Sequence, residues 1–264
     1  MATKVNKVVW ITGASSGIGE ALTYELNGKG YKLVISSRKL HDLQQIKNNC
    51  PNNENIAMLP LDLLDFNSMS VKVKEAMSLH GPVDILINNA GISQRSLIME
   101  TDLAVFKKLM DVNYMGTIAL TKALLPYFVS RNSGHFVTVT SLMGKFGSLY
   151  RSGYCGAKHA LHGFFDVLRM EHQKDNIDIT LVCPGFVNTN VAINALTADG
   201  TPQVINDKAT RNGLTPRVFA QKMLQAIESK KFEVYIGRKE VVGVYLKRFF
   251  PKLLHRVVLR NKVR

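Results

Sequence analysis

Residues 8–19 read VVWITGASSGIG, four apolar residues running straight into a turn that holds three glycines and two serines. Val8–Ile11 has the character of a buried strand, and the amphipathic segment from Ile18 to about Gly28 that of a helix. Glycines at such a junction let the backbone turn tightly and approach a diphosphate. The helix N-terminus then presents free amides and a positive dipole end to it. A glycine pattern alone carries little weight, because many strand-to-helix turns contain glycine. Its position between a first strand and a first helix is what gives it meaning.

Outward from this stretch, apolar runs alternate with helical patterns along the chain. Further strands are expected at Leu33–Ile35, Ile56–Leu61, Val83–Ile87, Phe136–Thr140, Ile177–Cys183 and Phe232–Ile236. Helices are expected up to about Asn49, over Met69–Leu79, from Thr101 to about Ser130, and from about Tyr154 to Lys174. Thr215-Pro216 starts another that runs to about Ser229, a cap followed by proline at the first helical position. The strands are near-continuous apolar runs rather than alternating ones, so the pattern predicts an α/β protein with a parallel sheet covered by helices on both faces. No linker interrupts it, and the 264 residues form one domain. After Cys183 the pattern gives way to a long Asn-, Thr- and Gly-rich segment, read as a substrate lid over about 186–213.

The composition is that of an ordinary globular chain, 46% hydrophobic, and no apolar run approaches the roughly 20 residues of a membrane span. The chain enters its first strand almost at once, without a secretory or transit pattern, and a cytoplasmic protein is expected. Cys50, Cys155 and Cys183 are far apart, with no CxxC pair; they are expected to be free thiols, and no metal site is expected. The net charge of +14 is concentrated at one end. From Arg238 onward nine basic residues face one acid, Glu240, which accounts for more than half of the excess.

At the end of the second strand the chain reads ISSRK. A cofactor with a free ribose 2′-hydroxyl normally meets an Asp or Glu there. Ser37 and Arg38 stand in that place instead, and the planar fork of Arg38 suits a 2′-phosphate, which favours NADP. The stretch Ser141–Lys158 reads SLMGKFGSLYRSGYCGAK. It sets Lys158 one helical turn after Tyr154, on the same face. A tyrosine with a pKa of roughly 10 is a poor proton carrier at neutral pH. An ammonium about 4 Å away is worth up to about 4 kcal/mol at an effective dielectric of about 20, enough to bring the phenol towards 7.

TGASSGIG at 12–19, NNAG at 88–91, Asn113, Ser141, YCGAK at 154–158, and Pro184-Gly185 with Thr189 stand in the order found in short-chain dehydrogenases/reductases. The chain resembles that family from about Val5 to Tyr235. Within the family it is similar to the branch that includes dehydrogenase/reductase member 7 and the 11-beta-hydroxysteroid dehydrogenases. The resemblance implies a doubly wound Rossmann sheet of about seven strands, which agrees with the strand count. It implies that Thr12, Gly13, Ser15, Ser16, Gly17, Ile18 and Gly19 hold the diphosphate and Asp62-Leu63 contacts the adenine. Asn88, Ala90 and Gly91 would line the adenosine ribose and central sheet. Pro184, Gly185, Val187 and Thr189 would meet the nicotinamide side, with Thr189 on its carboxamide. NADPH is the expected cofactor, held over residues 1–237.

The same resemblance implies that Tyr154 exchanges a proton with the substrate oxygen. Lys158 would lower the phenol's pKa and bind the nicotinamide ribose, Ser141 would polarise the substrate oxygen, and Asn113 would hold a water linking Lys158 to solvent. YCGAK departs from the commoner small pair between Tyr and Lys without touching either catalytic position, and the N-terminal anchor of several relatives is not expected here. No role falls on His135, His159 or His162. The apolar neighbours Leu142, Met143, Phe146, Leu149 and Phe186, with the lid, form the expected pocket wall. They point to a lipophilic carbonyl or secondary alcohol such as a steroid, retinoid or fatty ketone.

In the extension 238–264, Leu253, Leu254, Val257 and Val258 share a helical face while Lys252, Arg256 and Arg260 form a basic stripe. Such a segment either lies on an anionic membrane or covers the pocket or a subunit contact. A homodimer or homotetramer is expected through the helices beginning near Thr101 and Tyr154. Two other classes compete. One is a nucleotide-sensing or scaffold protein, against which the intact Ser141, Tyr154, Lys158 and Asn113 count. The other is a nucleic-acid binder, for which there is charge but no recognised module.

Overall fold

The computed structural model describes residues 7–260. The first six residues and the last two bases of the tail, Lys262 and Arg264, lie outside the described residues. Strand β1 (Val8–Thr12) is followed by α1 (Gly17–Gly28), β2 (Lys32–Ser36) by α2 (Leu40–Asn48), and β3 (Ile56–Met58) by α3 (Met69–His80). β4 (Ile85–Asn88) leads into α4 (Leu103–Met110), a π-helical turn (Asp111–Met115) and α5 (Gly116–Ser130). β5 (Gly134–Val139) is followed by α6 (Ser152–Glu171), and β6 (Ile177–Pro184) by a long segment, the short α7 (Lys208–Arg211) and α8 (Pro216–Glu228). β7 (Glu233–Ile236) ends the sheet, with α9 (Val242–Phe249) and α10 (Pro251–Arg260) after it.

All seven strands pair in parallel in the order β3-β2-β1-β4-β5-β6-β7. The chain winds outward from β1 to β3, then crosses back to β4 beside β1. That reversal opens a crevice at the carboxyl ends of β1 and β4, where ligands of such sheets bind. The apolar runs follow from the layering, because successive side chains of one strand face opposite layers. Val9 and Ile11 join Leu33, Ile35 and Ile87 in one core under α1, α2 and α8. Val8 and Trp10 join Val34, Leu86 and Phe136 in the other, under α3, α5 and α6. The one polar atom of Trp10 is satisfied in place, its Nε1 donating to Ser36 Oγ at 2.8 Å.

Two elements differ from the sequence expectation. The regular part of the edge strand β3 stops at Met58 rather than Leu61, although the amides of Leu59 and Leu61 still donate to Ile35 O and Ser37 O at 3.0 Å, Pro60 between them facing the open edge, where a proline is tolerated. The expected helix from Thr101 to Ser130 is two helices joined by the π turn that carries Asn113. The first part of the expected lid packs against the chain leaving β4. Leu196 N donates to Ser93 O at 2.9 Å and Arg95 N to Leu196 O at 2.8 Å, and Ala192, Ala195 and Leu196 are buried.

Candidate active site

The glycine loop opens into the crevice beside β4. Gly13 and Gly17 have φ of 65° and 60°, the left-handed region that glycine enters without cost. A side chain on Gly13 would begin 2.7 Å from Ala90 Cα, and one on Gly17 2.9 Å from Thr189 Cγ2. Thr12 and Asn89 lock the loop to the end of β4. Thr12 Oγ1 accepts from Asn89 N and Ala90 N, both at 3.1 Å, and Asn89 Nδ2 donates to Thr12 O and Gly13 O at 3.0 and 3.1 Å. Helix α1 has no side-chain cap among the described residues, so its first amides remain available to an anion. The fit to a dinucleotide diphosphate is therefore direct: an uncapped helix start, partly exposed Ser15 and Ser16, and glycines that no Cβ could replace.

At the ends of β2 and β3, Arg38 is exposed and forms no ion pair among the described residues. Asp62 is exposed with Oδ1 accepting from Leu64 N at 3.0 Å, and Leu63 is buried. Asn88 turns away from the crevice, its Nδ2 donating to Thr121 Oγ1 at 3.1 Å and Thr138 Oγ1 at 3.4 Å. It braces the sheet.

Asn113, Ser141, Tyr154 and Lys158 converge from three elements. The π turn rotates Asn113 inward, where Oδ1 accepts from Ile92 N at 2.9 Å and Nδ2 donates to Ile92 O at 3.0 Å. This clips α4–α5 to the chain leaving β4. Gly91 lies in the gap beside it: a side chain there would begin 2.7 Å from Asn113 Oδ1 and 3.5 Å from Lys158 Nζ. Ser141, just past β5, caps a short 3-10 turn, its Oγ accepting from Met143 N at 3.0 Å. The start of α6 is held by Gln94, whose Oε1 accepts from Gly153 N at 2.8 Å and Tyr154 N at 3.4 Å.

The expected electrostatics of the pair require a correction. Lys158 Nζ sits 5.8 Å from the Tyr154 ring centroid and donates to Val139 O at 2.8 Å. Burial pushes its pKa down to about 8. The Tyr154 phenol is raised by burial, not lowered. The groups that pull it down are the hydrogen bond from Ser141 and the charges of Arg151 and Arg95. The ammonium, committed to Val139 O, is not among the groups that pull the phenol down.

The pocket wall divides. Leu142, Met143 and Phe146 are buried in a cluster with Cys155, Cys183 and Leu254, against which Tyr154, Val241 and Val244 pack. α9 lies on Phe146, with Gly243 against its ring, so Phe146 is covered by the tail. Leu149 and Phe186 stay partly exposed. Tail residue Glu240 accepts from Phe186 N at 3.0 Å and so fixes the first turn of the expected lid. The tail therefore covers one side of the site.

Several residues in or beside the site have no counterpart in the sequence expectations. Gln94, Asn89 and Glu240 are among them. So are the buried Arg95, Arg151 and Asp207, and the polar cluster in which Glu233 meets Lys145 at 2.7 Å and His162 at 3.3 Å. His162 Nε2 also lies 3.8 Å from Cys183 Sγ, so it is not idle. The three cysteines are free.

Sheet order and glycine loop together define a Rossmann-type nucleotide-binding protein. The sequence profile of the short chain dehydrogenase family matches residues 7–199. The chain is 41% identical over 251 residues to "Dehydrogenase/reductase SDR family member 7" of Homo sapiens, covering 92% of this chain and 74% of that one. It is 40% identical over 259 residues to member 7B of Xenopus laevis, covering 95% and 80%. A short-chain dehydrogenase from Streptomyces avermitilis superposes with a TM-score of 0.83 at 25% identity, over 98% of this chain and 99% of that one. An actinorhodin polyketide ketoreductase variant solved with NADPH gives 0.68 at 28%, over 73% and 75%. A Burkholderia phymatum protein solved with NAD gives 0.80 at 21%, over 98% and 96%, and shares the fold. The chain belongs to the short-chain dehydrogenase family, an oxidoreductase family that binds a nicotinamide cofactor, and stands in its member 7-like branch.

Proposed function

We propose that the protein interconverts a carbonyl and a secondary alcohol on a lipophilic substrate, with NADPH as cofactor and Tyr154 as the general acid and base. The observation that carries this reading is the Ser141 hydroxyl hydrogen-bonded to the Tyr154 phenol, with the Lys158 ammonium on the same helix face 5.8 Å from its ring centroid. NADPH, when bound, supplies the hydride. Tyr154 gives its proton to the carbonyl oxygen, and Ser141 donates to the same oxygen as charge develops on it. Lys158 holds the nicotinamide ribose from its seat on Val139. Asn113 keeps a water that links Lys158 to solvent. Arg38, with no acid beside it on the chain, takes the 2′-phosphate. Leu149, Met143 and Phe186 favour an apolar body such as a steroid, retinoid or fatty ketone.

A scaffold that binds nucleotide without turnover is disfavoured by the intact Asn113, Ser141, Tyr154 and Lys158. Two associations accompany the reading: a homodimer or homotetramer formed through α4–α5 and α6, and a peripheral membrane contact of a cytoplasmic protein. The second is supported by the outer face of α9–α10, where Tyr245, Phe249, Phe250, Leu253 and Leu259 are exposed among basic residues. No helix among the described residues is long and apolar enough to cross a membrane. Oxidation of NADPH measured against a carbonyl panel tests the function. Tyr154→Phe should lower kcat by about a hundredfold or more. Full activity in that variant would falsify the mechanism.

A further inference from the structure

β6 and β7 end side by side, Pro184 in register with Ile236, and the ladder makes one more bond beyond them, from Gly185 N to Ile236 O at 2.9 Å. β7 ends at Ile236, so the next amide, Phe186 N, lies past the sheet. A backbone donor held away from water needs a partner. Glu240 supplies it: from the 3-10 turn after β7 (Lys239–Val241) its Oε1 accepts from Phe186 N at 3.0 Å. Two glycines make the room. A side chain on Gly185 would overlap the Glu240 carboxylate, and one on Gly237 would begin 2.9 Å from its Oε1. In a tail of nine bases from Arg238 onward, Glu240 is the one acid, and it is turned inward.

What Glu240 holds leads to the cofactor crevice. Phe186 O accepts from Leu214 N and Asn188 N donates to Leu214 O, both at 2.9 Å, so the chain beyond Phe186 runs parallel to Leu214 through the bridge at Val187. Thr189 follows, and its Cγ2 would lie 2.9 Å from a side chain on Gly17. The segment from Gly185 to Thr189 is thus pinned at one end by Glu240, clipped in the middle by Leu214, and packed at the other end on the glycine loop. A carboxylate is the stronger acceptor for such a pin, since a charge-assisted bond is roughly twice as strong as a neutral one.

We propose that Glu240 is a positioning residue for the nicotinamide half of the cofactor: by holding Phe186 N it sets the path of residues 185–189, and with it the place of Thr189 at the carboxamide. This role rests on the expected placement of Pro184, Gly185, Val187 and Thr189 on the nicotinamide side. It gives a part in cofactor binding to a residue outside the family profile, which ends at residue 199. Glu240 precedes α9, so its hold on the cofactor side is separate from the packing of α9 on Phe146.

The test measures, on the full chain, the affinity of NADPH by its fluorescence and of 2′,5′-ADP by calorimetry. The second ligand has the adenosine half and its phosphates but no nicotinamide. Glu240→Ala should weaken NADPH by about tenfold, the worth of a hydrogen bond to a charged group, and leave 2′,5′-ADP as it was. Glu240→Gln, which keeps an acceptor oxygen, should recover most of the loss. If Glu240→Ala does not fold, Glu240→Asp, a methylene too short to reach Phe186 N, decides by the same ratio. Equal weakening of both ligands marks a merely structural residue and overturns the proposal, as does unchanged NADPH affinity. If the wild type takes NADH instead, the comparison is read with NADH and ADP, and only the role of Arg38 is lost. A wild type that binds neither dinucleotide overturns the positioning role outright. Because binding is read without turnover, failure to reduce any ketone rejects the carbonyl chemistry and leaves the Glu240 result standing.

Discussion

Lys158 Nζ donates to the carbonyl oxygen of Val139 at 2.8 Å, which ties the ammonium to the end of β5. Burial makes its folded pKa about 8, below the ordinary value of 10.5. Between those values the folded state binds fewer protons than the unfolded chain, so the contribution of Lys158 to stability rises with pH. Below about pH 8 the burial penalty is fully present; above 10.5 it is gone. Urea unfolding of the wild type and Lys158→Met should therefore differ by an amount that shifts in favour of the wild type between pH 8 and 10.5, by at most about 3 kcal/mol. A pH-independent difference rules this out.

Gln94 caps a helix from outside it. α6 has no side-chain cap of its own, and Gln94 Oε1 serves Gly153 N and Tyr154 N while its Nε2 donates to Ser96 Oγ at 3.1 Å and Thr101 Oγ1 at 3.3 Å. Gln94→Leu should cost about 1–2 kcal/mol in stability, as loss of a cap does, and lower kcat more than it raises KM because Tyr154 loses its seat. Unchanged thermal unfolding would refute the capping role.

Glu233 shifts stability in the same direction as Lys158, upward with pH, but in the acid range. Burial alone would raise its carboxyl, but hydrogen bonds from His162, Lys145 and Tyr235 outweigh that and hold it at about 2. A depressed acid contributes stability that is present above its ordinary value of 4.5 and lost as pH falls towards 2. The wild type should lose its advantage over Glu233→Gln across that window, an advantage of about 1–3 kcal/mol at neutral pH. Parallel acid titrations of the two would contradict this.

The strands were legible because a sheet buried on both faces writes itself as apolar runs, as in Val8–Ile11 and Ile177–Cys183. The glycine loop was legible because φ near 60° restricts Gly13 and Gly17. What escaped were partners that only the fold brings together. Gln94 meets Gly153, Arg95 meets Asp207, and Phe186 meets Glu240, at separations of 59, 112 and 54 residues. No periodicity links such pairs. The spacing of Tyr154 and Lys158 correctly put them on one face, but a tertiary acceptor, Val139 O, competed for the ammonium and won. The π turn at Asn113 was equally hidden, since its cause is the clip to Ile92 and not a local breaker.

Arg38 tests the cofactor preference. It is exposed at the end of β2 without an ion pair among the described residues. An arginine–phosphate pair is worth about 1.5–3 kcal/mol, so Arg38→Asp should lower kcat/KM for NADPH by about ten- to a hundredfold and raise it for NADH. If both cofactors are used as before, Arg38 does not read the 2′-phosphate.

Gly243 decides whether α9 is part of the site or an appendage. In a helix facing solvent, Gly→Ala stabilises by about 1 kcal/mol through backbone entropy alone. Here a methyl at 243 would begin 2.7 Å from Cζ and 2.9 Å from Cε1 of Phe146, and Phe146 is wedged among Leu142, Met143 and Cys155. Overpacking of this kind costs about 1–3 kcal/mol, so Gly243→Ala should destabilise, and Phe146→Leu in the same chain should reverse the sign by removing the ring. The double mutant thus separates contact from propensity. Because Phe146 stands between α9 and Met143, lifting the tail should also change KM for lipophilic carbonyls while leaving KM for NADPH as it was. Stabilisation by Gly243→Ala in the wild-type background would mean that α9 does not rest on the pocket wall.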